Sequence, residues 1–141
     1  MLFEPLFSHA RTQPHAIAVI DDRGQYTYQQ LAAMSAGLGM YLSLQTKKPN
    51  VGLLLPASAG FAASFYGTLL AGKSVVLINY LLGEREIAHV IADSGIDTVV
   101  TIPQLAPRLK DARLNIIDLT ALPQTPPAIQ PKFPSPSAND L

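Results

Sequence analysis

The sequence predicts an α/β fold. A mainly parallel sheet of βαβ units is covered by helices on both faces, with an N-terminal helix and a β-hairpin ahead of it. Three observations carry this. First, Val51-Gly-Leu-Leu-Leu55, Ser74-Val-Val-Leu-Ile-Asn79 and Thr98-Val-Val-Thr-Ile102 are continuous apolar runs. Strands covered on both faces read this way, whereas half-exposed strands alternate. Second, the intervals between the runs are long enough for crossover helices and carry helical spacing. Third, Gly72 and Gly95 stand where each helix must stop before the next strand begins. The centre, Val51 to Thr101, is therefore read as a βαβαβ unit of three buried strands, with right-handed crossovers favoured.

The bulk properties limit the possible functions. The chain has 141 residues, enough for one domain with a real core. Ten basic residues balance ten acidic ones, so nothing electrostatic favours nucleic acid or an acidic lipid surface. Cysteine is absent, which excludes a disulfide framework, a thiol nucleophile and a thiolate metal site. Met1-Leu-Phe-Glu-Pro5 lacks the basic segment and long apolar run of a signal peptide, so a cytoplasmic protein is expected. Between Val51 and Leu82 the only charge is Lys73, a stretch long enough to span a bilayer. Pro56, Gly60, Gly67 and Gly72 punctuate that stretch, and its β-branched residues cluster after Lys73. A doubly covered α/β core accounts for it, so no transmembrane segment is expected.

Taken in order, residues 2–12 read as a short helix with Phe3, Leu6, Phe7 and Ala10 on one face; Pro5 is tolerated in its first turn. Ala16 to Ile20, the turn Asp22-Arg-Gly24 and Gln25-Tyr-Thr27 form a hairpin. Thr27 and Gln30 have capping-box spacing and open a long helix. Leu31, Met34, Ser35, Leu38, Tyr41 and Leu42 make its buried stripe. Gly37 and Gly39 each weaken that helix by roughly 1 kcal/mol relative to alanine, unless close packing needs them.

The helix after Pro56 has Phe61, Phe65, Thr68 and Leu69 on one side and Ala62, Tyr66 and Leu70 on another. A helix with almost no polar face is buried on more than one side. In this chain alone it is expected to expose an apolar patch and to drive self-association. The helix from Glu84 to Ser94 is different: Ile87, Val90 and Ile91 face inward, and its charges face water. Leu105 to Leu109 reads as a short helix, and Leu114 to Leu119 as a fourth parallel strand. From Pro123 the composition turns proline-rich. The organisation is therefore 1–122 as an α/β subdomain and 123–141 as a loop or extended tail.

One motif looks like chemistry. Gly67-Thr-Leu-Leu-Ala-Gly-Lys-Ser74 matches the phosphate-loop pattern G-x-x-x-x-G-K-S. That pattern works when a strand leads into a glycine-rich loop and a helix follows, so that free amides cradle the anion. Here helical spacing precedes Gly67 and strand-like residues follow Lys73, so the order is inverted. The segment reads as a helix end followed by a solvated lysine. His9, His15 and His89 lie in separate elements without a second ligand at metal spacing. Asp21-Asp22 is a turn, Glu84-Arg85-Glu86 a solvated helix start, and Ser58, Ser64 and Ser94 lack a histidine or acid partner. No residue is assigned as catalytic, cofactor-binding or metal-binding. Asn79 and Tyr80 follow the carboxyl end of a parallel strand, the edge where α/β ligands gather, and are the candidates for a substrate-side loop.

The order of segments resembles the N-terminal part of AMP-forming acyl-CoA synthetases, the adenylate-forming ligase superfamily. The matching stretches are Ala16-Ile-Ala-Val19, Tyr26-Thr-Tyr-x-x-Leu31, Val51-Gly-Leu-Leu-Leu-Pro56, Leu69-Leu-Ala-Gly72, Val75-Val-Leu-Ile-Asn79, and Asp93-Ser-Gly95 followed by Thr98-Val-Val-Thr101. Each is weak alone; their order and spacing together are specific. The resemblance implies a parent ligase that uses ATP and Mg2+ to activate a carboxylate as an acyl-adenylate. The acyl group then passes to the thiol of coenzyme A or of a carrier protein's phosphopantetheine. It further implies that the family's phosphate loop begins just after a segment like Ala138-Asn-Asp-Leu141, so this chain stops short of it and is inert alone. The partners implied are the second subdomain and C-terminal domain of the same ligase. Amino-acid-activating members usually carry Asp-Pro where Asn79-Tyr80 stands, which leans the substrate towards fatty or other simple acids. Two rival readings stay open: a non-catalytic α/β interaction module, and a small phosphate-loop protein using residues 67–74.

Overall fold

A computed structural model describes residues 4–111 and 113–122. Phe3 and the proline-rich stretch 123–141 lie outside the described residues.

The first helix, α1 (Glu4–Thr12), buries Leu6 and Phe7. The hairpin follows as β1 (Ile17–Asp21) and β2 (Gly24–Thr27), paired antiparallel. Thr27 then caps α2 (Tyr28–Gln45). Its hydroxyl accepts from the Gln30 amide at 3.1 Å, and the Gln30 side chain accepts from the Thr27 amide at 2.8 Å. The capping box is reciprocal, as the spacing predicts. Leu31, Ser35, Leu38 and Leu42 of the expected stripe are buried, while Met34 and Tyr41 are half-buried.

The sheet is built from β3 (Asn50–Leu53), β4 (Ser74–Leu77), β5 (Thr98–Thr101) and β6 (Asn115–Asp118). All its pairings are parallel, and the order is β4-β3-β5-β6. Helices α3 (Ala59–Leu70) and α4 (Glu84–Ser94) are the crossovers. On one face Leu54 and Val99 pack with Ile87 and Ile91 of α4. On the other, Val51, Leu53, Leu55 and Val100 pack with Leu42 of α2, and Phe61 and Phe65 of α3 lie against them. A third cluster joins Leu6 and Phe7 to Leu31, Ala32, Leu38 and Ala63. The described residues thus form a sheet between helices, with α1 and the hairpin laid against α2.

Three expectations need correction. β4 is not a buried strand: it is the sheet edge, with Ser74 exposed and Leu77 58% exposed. A parallel edge strand has a neighbour on one side only, and its apolar run does not reveal this. Leu105 to Leu109 narrows to a single 3-10 turn, Ala106–Arg108, with Pro107 in its first turn. Finally, no residue from Phe61 to Leu70 is exposed, since α2 and the sheet cover α3. Among the described residues the large exposed apolar side chains lie elsewhere: Ile17 and Ile20 on the hairpin, Met40 and Leu44 on α2, Ile116 on β6, and Leu77, Tyr80 and Leu81 at the β4 edge.

Close contact between α2 and α3 has a visible cause. A Cβ on Gly39 would lie 2.8 Å from the Gly67 carbonyl oxygen, and one on Gly67 would lie 2.8 Å from the Ser35 carbonyl oxygen. These distances are too short for any side chain, so the two glycines let the backbones touch. A Cβ on Gly37 would meet nothing within 4 Å. That glycine is not explained by packing among the described residues.

Candidate functional site

The two ends of the sheet differ in chemistry. At the amino end, side chains fasten strands to loops. Thr46, which follows α2, donates its hydroxyl to Asp97 Oδ1 at 2.6 Å, and Thr98 donates to the same oxygen at 2.9 Å. The Lys48 amide in turn donates to the Thr46 hydroxyl at 3.0 Å. The Thr46 hydroxyl, then that of Thr98, holds the Asp97 carboxyl below its ordinary pKa; Lys48 adds a smaller pull.

Lys73 belongs to this structural end. α3 closes with Gly72 in the left-handed region (φ 76°). The Gly72 amide donates to Leu69 O at 3.0 Å and the Lys73 amide to Thr68 O at 3.1 Å, the paired bonds of a Schellman stop. Ser74 N donates to Pro49 O at 2.8 Å, and Lys73 Nζ donates to Lys48 O at 2.7 Å. The G-x-x-x-x-G-K-S letters therefore run helix, turn, strand. Their amides and the lysine head are already engaged, so this segment does not fit a nucleotide phosphate.

The carboxyl end is open. A cleft of about 930 Å³ lies there. Pro56 to Ser58 after β3, Ile102 and Gln104 after β5, and Leu119 after β6 form one wall; the hairpin turn and α2 form the other. Connections from neighbouring strands diverge at this point. β3 leads to α3 on one face, whereas the segment after β5 sends Leu105 and Leu109 to the α4 face. Such a switch point is where ligands of open α/β sheets bind. Asp21 fixes the rim. Its Oδ2 accepts from the Ala59 amide at 2.9 Å, and Oδ1 accepts from Arg23 and Gly24. The Ala59 amide, at the start of α3, leads in drawing the Asp21 carboxyl below its ordinary pKa.

The sequence candidates fall in different places. Asn79 and Tyr80 sit past the carboxyl end of edge strand β4 and do not line the cleft. Asn79 Oδ1 accepts from the Leu81 amide at 2.9 Å, so this side chain shapes the loop. Tyr80 is 37% exposed. His9, His15 and His89 are all exposed. Among the described residues, no three His, Cys, Asp or Glu side chains stand close enough to hold a metal ion, and no helix is long and apolar enough to cross a membrane. The cleft was hidden from sequence reasoning because it depends on strand order. The letters give the strands but not that β3 and β5 are neighbours.

Solved structures define the class. A nonribosomal peptide synthetase in its α-methyl-L-serine-AMP bound form superposes on 89% of this chain with a TM-score of 0.78 and 25% identity; the match takes in 15% of that structure. O-succinylbenzoate coenzyme A synthetase from Bacillus subtilis, with ATP and magnesium, shares the fold at a TM-score of 0.73 over 82% of this chain and 32% of that one, at 24% identity. The fold is that of an adenylate-forming enzyme domain. The chain belongs to the AMP-binding enzyme family, whose match runs over residues 6–139. A syringomycin synthase of Pseudomonas syringae pv. syringae is 29% identical over 92% of this chain and 22% of its own length. A long-chain-fatty-acid–CoA ligase of Escherichia coli is 29% identical over 86% of this chain and 21% of its own length. The chain thus spans about a fifth of these two curated relatives.

Proposed function

We propose that this chain is the N-terminal subdomain of an ATP-dependent, AMP-forming ligase, and that the parent activates a fatty or other simple carboxylic acid as an acyl-adenylate. The acceptor is the thiol of coenzyme A or of a carrier protein. The parent works in the cytoplasm with ATP and Mg2+, and the partners of this chain are the remaining domains of the same ligase. The observation that carries this reading is the family match over nearly the whole chain, joined to a fold in which the lysine-bearing glycine turn serves structure. The described residues supply framework: a packed sheet, a fixed rim and an open carboxyl end. Asn79 and Tyr80 are proposed to face the substrate side from the β4 edge.

The lean towards simple acids rests on Asn79-Tyr80 and on relatives such as the fatty-acid ligase. Carboxylate-dependent exchange of labelled pyrophosphate into ATP, measured on the protein from a reading frame continued past Leu141, tests it. Exchange with medium- or long-chain fatty acids is expected, and none with the 141-residue chain alone. Exchange driven by amino acids instead would overturn the substrate assignment. Exchange by the short chain would overturn the framework role.

A further inference from the structure

We propose that the outer edge of β4 is a docking surface for a second copy of this chain, the two strands pairing antiparallel about a two-fold axis at Val76. This does not rest on the ligase reading. Backbone polarity sets the register. Ser74 N donates to Pro49 O and Ile78 N to Leu53 O, so Ser74, Val76 and Ile78 turn their amides towards β3. The alternate residues, Val75 and Leu77, turn their amides and carbonyls outward. Among the described residues no strand pairs with that side. The flanking groups are already engaged: the Lys73 amide donates to Thr68 O, and Asn79 O accepts from the Leu82 amide, both at 3.1 Å. An isologous pairing that uses only free groups therefore sets Val75 opposite Leu77 of the second copy, and Leu77 opposite its Val75. In that register both residues exchange amide and carbonyl bonds, and the two sheets become one.

The side chains and charges agree. Val75 and Leu77 share one face of the sheet, and Leu77 is 58% exposed there. Tyr80 and Leu81, just past the strand, are exposed too. Natural edge strands are blunted by charges, prolines or bulges. Ser74 to Gly83 carries no charge and no proline, and its pairing with β3 is regular. The other edge, β6, carries Asp118. In the proposed register Lys73 faces a neutral Asn79. The two Lys73 residues stand about 20 Å apart, beyond the Debye length of about 8 Å at physiological ionic strength, so they do not oppose the pairing. A joint between strands of 4 residues buries well under the ~800 Å² per partner of a standard interface. The dimer is therefore weak and forms at high protein concentration. Since α3 is covered, self-association of this chain belongs to the β4 edge.

Sedimentation equilibrium of the 141-residue protein, from low micromolar to near-millimolar concentration, tests this. A monomer–dimer equilibrium is expected. Leu77→Lys changes an exposed side chain, so it should keep the circular dichroism of the wild type and abolish the dimer. Because the chain has no cysteine, single cysteines report the register. Val76→Cys lies on the axis, as a non-hydrogen-bonded pair with Cα atoms about 4.5 Å apart, within disulfide reach. Ser74→Cys is at a more exposed position, yet its two copies stand about 14 Å apart along the strands. Mild oxidation should link Val76→Cys several-fold more than Ser74→Cys. A strict monomer at every concentration, association undiminished in Leu77→Lys, or Ser74→Cys linking as readily as Val76→Cys would overturn the proposal.

Discussion

Gly37 and Gly39 lie two residues apart on the same helix and face opposite conditions. Gly39 sits in the sealed seam with α3, where backbone meets backbone. Gly37 lies on the floor of the cleft, where nothing described touches it. The two halves of the molecule repeat this contrast. The seam and the amino end of the sheet are closed by contacts and hydrogen bonds, and residues there have structural duties. The carboxyl end is left open by divergent connections, the geometry of a switch point in an open α/β sheet. A lysine at the amino end, however suggestive its neighbours in the sequence, holds a loop.

The contrast can be broken by substitution. The largest expected effect is in the seam. Gly67→Ala would press a Cβ against the Ser35 carbonyl and the Leu38 Cβ, the latter at 2.9 Å. Both are backbone or near-backbone atoms that cannot swing aside, so chemical denaturation should show a loss of about 1–3 kcal/mol. An unchanged midpoint would mean the helices are not in contact.

At the amino end, Asp97→Ala removes the acceptor of two hydroxyl donors and leaves buried Thr46 without its partner. A loss of about 1–2 kcal/mol is expected at neutral pH. The pH dependence has a definite sign. Asp97 and Asp21 have folded pKa values below their unfolded ones. Their stabilisation is therefore present above the unfolded value, about 3.9, and fades as pH falls through the lower folded value. Denaturation midpoints of Asp97→Asn should fall less steeply than wild type between neutral pH and the acid limb.

Gly37→Ala should go the other way, gaining up to about 1 kcal/mol from helix propensity, because nothing described stands in the way. A loss like that of Gly67→Ala would erase the distinction between seam and cleft. The smallest effect belongs to the exposed β4 end. Leu81→Ser, at a side chain 78% exposed, should change stability by no more than about 0.5 kcal/mol.

Much of the framework was legible. The capping box at Thr27 and Gln30, the stops at Gly72 and Gly95, and the three apolar runs are local signals, and local signals survive folding. The inverted order around Gly67 to Ser74 was legible for the same reason. What escaped the sequence is set by neighbours far apart in the chain. Edge and central strands carry similar apolar runs, so Ser74 to Leu77 looked as buried as Thr98 to Thr101. Asp21 read as a turn residue, and its bond to the Ala59 amide spans 38 positions. The cleft exists only because β3 and β5 pair, and no local pattern announces that pairing.

The account depends most on Lys73 doing structural work. Calorimetric titration of the 141-residue chain with ATP and magnesium, alongside Lys73→Ala, tests this directly. Heats no larger than dilution, or a millimolar affinity unaltered by the substitution, are expected. Saturable binding in the micromolar range that Lys73→Ala abolishes would contradict it.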